Sequence, residues 1–374
     1  MPPLRPATVT AHAGLAADPQ HGAVPPPLVP TSIYAHGNPG AYEYGREHNP
    51  VWERLEATLS ALEAGAATSV FASGMAAIGA VLELVPLGAR VLVPAQGYSG
   101  PRRLAAELND AGRIAAVFVD IADTDAVIAA GRDAALWLLE SVTNPLLTVP
   151  DLPACIAAGH AAGALVVVDS TFSTPLTLRP LELGADAVVH SLTKYAGGHS
   201  DLVLGSATVA DAALGERMSS WRTAIGSIPG QLETWLCLRG LRTLDVRLRR
   251  QMESASAIAH RLGDNGVVER VHYPGLQGHP QHARAAAQLR GGFGAVVSFE
   301  TSGGAERAEA VCSATRVWAH ATSLGGVEST LERRARYELD AEIVPESLIR
   351  LSVGIEDVED LWDDLDQALD STDP

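Results

Sequence analysis

Lysine is almost absent from this chain. Of 27 basic side chains in 374 residues, 26 are arginine, and Lys194 is the one lysine. Guanidinium has replaced ammonium wherever a positive charge was enough, so Lys194 is either a chance surface lysine or, as its apolar strand-like context favours, a place where guanidinium fails. Arginine stays protonated, whereas a lysine amine can lose its proton and form a Schiff base with a carbonyl. Cysteine is scarce too. Cys155, Cys237 and Cys312 are odd in number, far apart and set in apolar sequence, which argues against disulfides and zinc and for reduced core thiols of a cytoplasmic protein. No apolar run is long enough to span a bilayer, although 47% of the chain is apolar. The start, Met1-Pro2-Pro3-Leu4-Arg5-Pro6, has neither signal-peptide nor presequence character. Net charge is −17 without a basic cluster, which argues against nucleic acid and anionic membrane partners.

Residues 1–50 are rich in proline and glycine and have little apolar periodicity, so they are expected to form an extended arm that needs a surface, such as that of a neighbouring subunit. A helical pattern follows over 51–62. Short, near-continuous apolar runs at 67–71, 90–94, 114–120, 135–140, 164–169 and 187–190 then alternate with helical stretches such as 101–111 and 152–162; a further strand is expected at 202–209. Strands buried on both faces read this way, so residues 51–235 are expected to form an α/β domain with a mainly parallel sheet. Beyond it, a long helical stretch at 232–262, strands at 295–299 and 348–353 and an acidic last helix predict a smaller α+β domain over 236–374.

Ligands of parallel sheets sit beyond the carboxyl ends of the strands. Those ends carry Glu140 with Asn144, Asp169, and Ser191, Thr193 and Lys194. Asp169 precedes Lys194 by one helix-and-strand unit, so the two can share a pocket. A carboxylate there can hold a pyridine nitrogen protonated, or simply cap the turn of Ser170, Thr171 and Pro175. Ser73-Gly74-Met75 at a helix start offers free amides to a phosphate, or an ordinary cap. Tyr98 can lie on a flat ring or serve as packing. The working expectation is a lysine that holds pyridoxal phosphate. The pair His279 and His282 is spaced like metal ligands but lacks supporting Cys or Glu. Gly291-Gly292-Phe293-Gly294 precedes a strand where a phosphate loop needs a helix, and is expected to be a turn.

Taken together, these segments resemble the Cys/Met-metabolism family of pyridoxal-phosphate enzymes, which includes the cystathionine γ-synthases, γ-lyases and β-lyases and the methionine γ-lyases. The likeness rests on Tyr44-Gly45-Arg46 with Asn49-Pro50, Ala72-Ser73-Gly74-Met75-Ala76-Ala77, Asp169-Ser170-Thr171-Phe172, Ser191-Leu192-Thr193-Lys194-Tyr195, Gly198-His199-Ser200-Asp201, Tyr273-Pro274-Gly275-Leu276, Ser323-Leu324-Gly325-Gly326-Val327-Glu328-Ser329 and Ile349-Arg350-Leu351-Ser352-Val353-Gly354. It implies an aspartate-aminotransferase fold of type I, a tetramer of two catalytic dimers, and a sulfur amino acid as substrate. Lys194 would bind the cofactor covalently and shuttle protons. Asp169 would face the ring nitrogen, Tyr98 the ring face and Asn144 the ring hydroxyl. Gly74, Met75, Ser191 and Thr193 would hold the phosphate, joined by Tyr44 and Arg46 of a neighbouring subunit. Ser323 and Arg350, with Asn144, would bind the substrate carboxylate, and Tyr98 would act as acid or base.

Three departures bear on substrate. Thr322 stands where the cystathionine-handling γ-enzymes tend to carry Glu. Ser99 and Gly100 follow Tyr98 where methionine γ-lyases have a cysteine. Residues 330–337 replace a His-Pro-Ala-like loop and are similar to the compact actinobacterial cystathionine γ-lyases. The resemblance implies α,γ-elimination from cystathionine or methionine. γ-Replacement on an O-acylhomoserine, β-cleavage, and a non-catalytic protein of the same fold remain as alternatives.

Overall fold

The computed structural model describes residues 4–15 and 22–372. Residues 1–3 of the proline-rich start and 16–21 of the expected arm lie outside that range. The arm is not extended throughout. Pro6–Ala11 forms a helix, α1, with Pro6 at its first turn, where its fixed φ suits the helix and its missing N–H is not needed. Thr10 and Ala13 are buried against the body, so two anchor positions suffice where no period is visible. The next segment lies on its own subunit: Trp235 Nε1 donates to Pro26 O at 3.0 Å and Gln231 Nε2 to Thr31 O at 3.2 Å. The loop closed by the Ile33–Tyr44 bridge stands exposed. Helix α2 (Pro50–Glu63) follows; the Asn49 side chain accepts from Val51 N–H and caps it, worth about 1 kcal/mol.

Seven strands build the large sheet: β1 (Ala67–Phe71), β2 (Ala89–Pro94), β3 (Ile114–Val119), β4 (Leu136–Glu140), β5 (Leu165–Asp169), β6 (Ala187–Ser191) and β7 (Gly205–Val209). Helices α3 (Gly74–Leu82), α4 (Ser99–Asp110), α5 (Thr124–Gly131), α6 (Leu152–Ala161) and α7 (Thr174–Thr177) connect them. Of these, α5 is a short helix started by the Asp123 cap on Ala126 N–H. Strand order is β1-β7-β6-β5-β4-β2-β3, parallel except for β7, which runs antiparallel to β1 and β6. In β4, Leu136 and Leu138 enter one core cluster while Trp137 and Leu139 enter another on the opposite face. That two-sided burial explains the absence of polar alternation, and each buried Leu or Val contributes about 1.5–3 kcal/mol.

Helices α8 (Ala212–Ile225), α9 (Gln231–Leu241) and α10 (Leu244–Asp264) lead out of this body. The single stretch expected at 232–262 is therefore two helices. Buried Arg247 ends the first by donating from Nη2 to Gly240 O at 2.9 Å, and Nε donates to Thr243 Oγ1 at 3.0 Å. Residue 235 falls inside α9, which packs on α2. The second sheet contains β8 (Val268–His272), β9 (Val296–Thr301), β10 (Ala319–His320), β11 (Thr330–Arg333) and β12 (Leu348–Ser352), in the order β10-β11-β12-β9-β8. Helices α11 (His282–Gln288), α12 (Gly304–Ala314), α13 (Glu338–Ala341) and α14 (Val358–Ser371) accompany it. One core cluster runs from α2 through α9 and α10 to α14 and fastens the two bodies together. Among the described residues no helix is long and apolar enough to cross a membrane.

Candidate active site

The carboxyl ends of β4, β5 and β6 open on a cavity of about 420 Å³, roofed by the small domain. Asp169 ends β5 and Ser191 ends β6. Asp169 Oδ1 accepts from Thr171 N at 2.9 Å, so the carboxylate both closes its turn and lines the cavity. Burial raises its pKa above the usual carboxylate range, and no ion pair holds it among the described residues. Beside it, Glu140 accepts from Tyr98 N at 2.6 Å and from Asn144 N at 3.1 Å. Burial, and then the charge of Asp169, push Glu140 up to about 8. A Cβ at position 97 would collide with the Glu140 carboxylate, so Gly97 is what lets Glu140 reach the Tyr98 amide.

Tyr98 stands at the start of α4 as a half-exposed wall of the cavity. Burial, then the negative charge of Asp169, raises its phenol pKa, so the hydroxyl keeps its proton near neutral pH. On another wall Ser73 Oγ accepts from Ala76 N at 3.1 Å and caps α3, while the N–H groups of Gly74 and Met75 have no acceptor within the helix. β7 can pass this point only because residue 205 is glycine; a Cβ there would strike Ser73 O and Gly74 N. Ser191 packs on Gly74 and lines the same corner. Thr193 lines it too, but its hydroxyl donates to Leu204 O at 3.1 Å and accepts from Leu204 N at 3.0 Å.

Lys194 links floor and roof. Nζ donates to Ser323 Oγ at 2.7 Å. Burial, then the charge of Arg350, lowers its pKa to about 8, so a usable fraction of free amine exists near neutral pH. Ser323 has φ 85°, a left-handed conformation that costs a non-glycine residue about 1–3 kcal/mol. This turn lets one residue serve two partners, since Ser323 O also accepts from Arg350 Nη2 at 2.9 Å. Arg350 Nη1 donates to Asn144 Oδ1 at 2.8 Å, joining roof to floor.

Lys194, Tyr98, Gly74, Met75, Asn144, Asp169, Ser191, Thr193, Ser323 and Arg350 thus share one cavity. Tyr44 and Arg46 do not reach it in this subunit: Arg46 lies over the Tyr44 ring at 5.5 Å and donates to Thr223 O at 2.7 Å, on the exposed loop. Four charged or hydroxyl groups of the roof escape the sequence reading: Glu332, Arg334, Tyr337 and Asp340. Arg334 and Tyr337 line the cavity, and Glu332 and Asp340 lie fully buried behind them. Their one signal was the charge-rich segment 332–340 close to the Ser323 turn. The histidine pair makes backbone contacts: His282 Nδ1 lies 2.9 Å from Pro274 O, and His279 Nδ1 accepts from Gln281 N at 3.2 Å. The glycine segment 291–294 is a turn leading into β9, with positive φ at all three glycines.

The cavity presents a lysine with a lowered pKa, an aromatic wall, a carboxylate lacking a cation, and a helix start with unengaged amides. This donor set fits an aldehyde-bearing pyridinium phosphate. The fold and the cavity define a pyridoxal-phosphate enzyme of fold type I. The chain belongs to the family described as Cys/Met metabolism PLP-dependent enzyme, which matches residues 7–370, and its cofactor is pyridoxal 5'-phosphate. It is 42% identical to the cystathionine gamma-synthase of Mycobacterium tuberculosis, over 97% of this chain and 96% of that one. It is 38% identical to the cystathionine gamma-lyase of Bacillus subtilis, over 97% and 99%. The crystal structure of cystathionine gamma synthase from Xanthomonas oryzae pv. oryzae in complex with cystathionine superposes with a TM-score of 0.94 at 39% identity, covering 99% of each chain.

Proposed function

We propose that this enzyme catalyses α,γ-elimination on a sulfur amino acid, cystathionine or methionine, giving 2-oxobutanoate, ammonia and a thiol. The observation that carries the reading is the position and charge state of Lys194. One amine, lowered to about 8, hangs between floor and roof on a four-carbon stem. γ-Elimination requires proton removal at two adjacent carbons, and a flexible amine can serve both. Tyr98, protonated and half-exposed on the wall, is the acid for the departing sulfur. Pyridoxal phosphate, when bound, supplies the electron sink that makes those carbons acidic.

In this reading Lys194 holds the cofactor covalently, Asp169 faces the ring nitrogen, Tyr98 covers the ring and Asn144 faces the ring hydroxyl. Gly74, Met75 and Ser191 hold the phosphate, and Thr193 joins them by giving up its bond to Leu204 O. Ser323 and Arg350 take the substrate carboxylate, since a guanidinium fits it with two bonds. Tyr44 and Arg46 complete the phosphate site of a neighbouring subunit in a tetramer built from two catalytic dimers.

γ-Replacement on an O-acylhomoserine is a second reading, favoured by the names of the Mycobacterium and Xanthomonas relatives. It needs the same residues and differs in admitting a thiol. The deciding experiment supplies loaded enzyme with L-cystathionine and identifies the keto acid. 2-Oxobutanoate with cysteine supports γ-elimination; pyruvate with homocysteine means that the other carbon–sulfur bond breaks and overturns the reading. An O-acylhomoserine with cysteine, yielding cystathionine faster than 2-oxobutanoate, selects replacement.

A further inference from the structure

We infer that Glu332 is a positioning residue for substrate binding: it turns the Arg350 guanidinium so that its remaining donors face the cavity. The inference rests on the reading of Arg350 as the seat of the substrate carboxylate. Glu332 on β11 lies directly across from Arg350 on β12. It is 1% exposed, and a carboxylate so buried persists only when its oxygens are filled. They are. Oε1 accepts from Arg350 Nη2 at 2.6 Å, from Arg334 Nη1 at 2.5 Å and from Thr322 Oγ1 at 3.1 Å; Oε2 accepts from the Tyr337 hydroxyl at 2.9 Å.

On Arg350 both Nη2 hydrogens are thereby used, one on Glu332 and one on Ser323 O, and Nη1 holds Asn144. Nε is buried and has no partner among the described residues, on a side chain that lines the cavity. A guanidinium fixed along three of its five N–H bonds, with Nε–H and one Nη1 hydrogen left over, is prepared for an incoming carboxylate. Arg334, fixed in turn by Asp340, stands beside Arg350 and would repel it without Glu332 between them. Thr322 acquires a role here as well: its hydroxyl serves Glu332.

The test uses loaded enzyme and two ligands that cannot eliminate, L-norleucine and pentylamine. They differ by a carboxylate, and their binding is followed by the change in cofactor absorbance. For Glu332→Gln we expect L-norleucine affinity to fall about 10–100-fold, as when a partner that orients a binding group is lost. Pentylamine affinity and the absorbance of the free enzyme should stay unchanged, and Glu332→Asp should recover part of the loss. For turnover, KM rises while kcat stays within a few-fold. Unchanged L-norleucine affinity, or equal losses for both ligands, overturns the inference. Arg350→Gln separates the layers: if it binds L-norleucine normally, Arg350 is not the carboxylate seat and the underlying reading fails as well. If Glu332→Gln does not fold, Tyr337→Phe and Thr322→Val each remove one donor from Glu332. Each should give a smaller loss confined to L-norleucine, and no such loss overturns the proposal.

Discussion

The floor and the roof of the cavity handle buried charge in opposite ways. On the floor, Asp169 and Glu140 are two neighbouring carboxylates supported by backbone N–H groups and, at Asp169, by the Thr171 side chain, with no cation paired to either among the described residues, and burial lifts both above their usual range. On the roof, Arg334, Arg350, Glu332 and Asp340 balance each other, cation against carboxylate. The floor is electrostatically incomplete and the roof is complete. A pyridinium would supply the positive charge that the floor lacks, whereas the roof needs nothing until substrate arrives. Floor residues should therefore matter to chemistry more than to folding, and roof residues to both.

The largest effect belongs to the residue that joins the two. Lys194→Ala should cut turnover about 10³-fold or more if Lys194 is the proton shuttle we propose. The fold should survive, because a buried amine makes little contribution to stability. Normal turnover would dismiss the site assignment. Next, Asp340→Ala should lower unfolding stability by about 1.5–3 kcal/mol, as when a buried charge-assisted hydrogen-bond partner is deleted while Arg334 keeps Glu332. Denaturant unfolding of the apo-protein measures it.

Asp169→Asn should do the reverse, slowing turnover about 10²-fold through loss of a preorganised charge without weakening the apo fold. The sign follows from its raised pKa. A carboxyl whose folded pKa exceeds its unfolded value contributes stability at low pH that disappears as pH rises through the folded pKa. Relative to wild type, the Asn variant should therefore gain stability as pH rises above the ordinary carboxylate range. A floor variant that unfolds as readily as the roof variant would erase the distinction.

The floor was legible in the sequence because strand ends are legible. Continuous apolar runs give the strands, and the polar residues that stop them are the candidates: Asp169 after 164–168, and Ser191 after 187–190. Lys194 stood out through composition alone. The roof was hidden because it depends on a cross-strand register between Glu332 and Arg350 that no local pattern encodes, and on a charge-rich segment that reads equally well as solvated loop. Ser323 shows the same limit, since its left-handed turn serves two partners distant in sequence or across the sheet, Lys194 and Arg350. The break between α9 and α10 was missed because Arg247, buried and distant in sequence from Tyr195, makes the cap. The family's motif set supplied Arg350 and Ser323; residue chemistry alone did not.

Arg46 tests whether one subunit completes the floor. It points away from its own cavity, so Arg46→Ala should weaken cofactor retention about tenfold, the scale of a charge-assisted hydrogen bond lost across an interface. At a cofactor concentration too low to load Arg46→Ala alone, mixing Arg46→Ala and Lys194→Ala subunits should restore activity, because one site in each hybrid dimer regains both residues. Demonstrably mixed oligomers that stay inactive would confine the site to one chain.

The smallest predicted effect is a shift in a pH midpoint, and it measures how strongly roof and floor are coupled. The neutral amine of Lys194 is the form that can attack a carbonyl, so the rate at which apo-protein takes up pyridoxal phosphate should rise with pH and level off above a midpoint near 8. Burial is the largest cause of that midpoint and the positive charge of Arg350 the second, with smaller opposing contributions from Glu332, which raises it, and Arg334, which lowers it. Arg350→Gln removes the second. The protonated amine then loses a repulsive neighbour, its pKa rises, and the midpoint should move to higher pH while staying below the 10.5 of an ordinary lysine, because burial remains. A midpoint that does not move would mean that the hydrogen bond to Ser323 screens Lys194 from the roof, and that floor and roof act independently. A midpoint that returns to the ordinary lysine value would mean that the substitution has let water into the cavity, which an accompanying rise in the exposure of Tyr98 to quenchers would reveal.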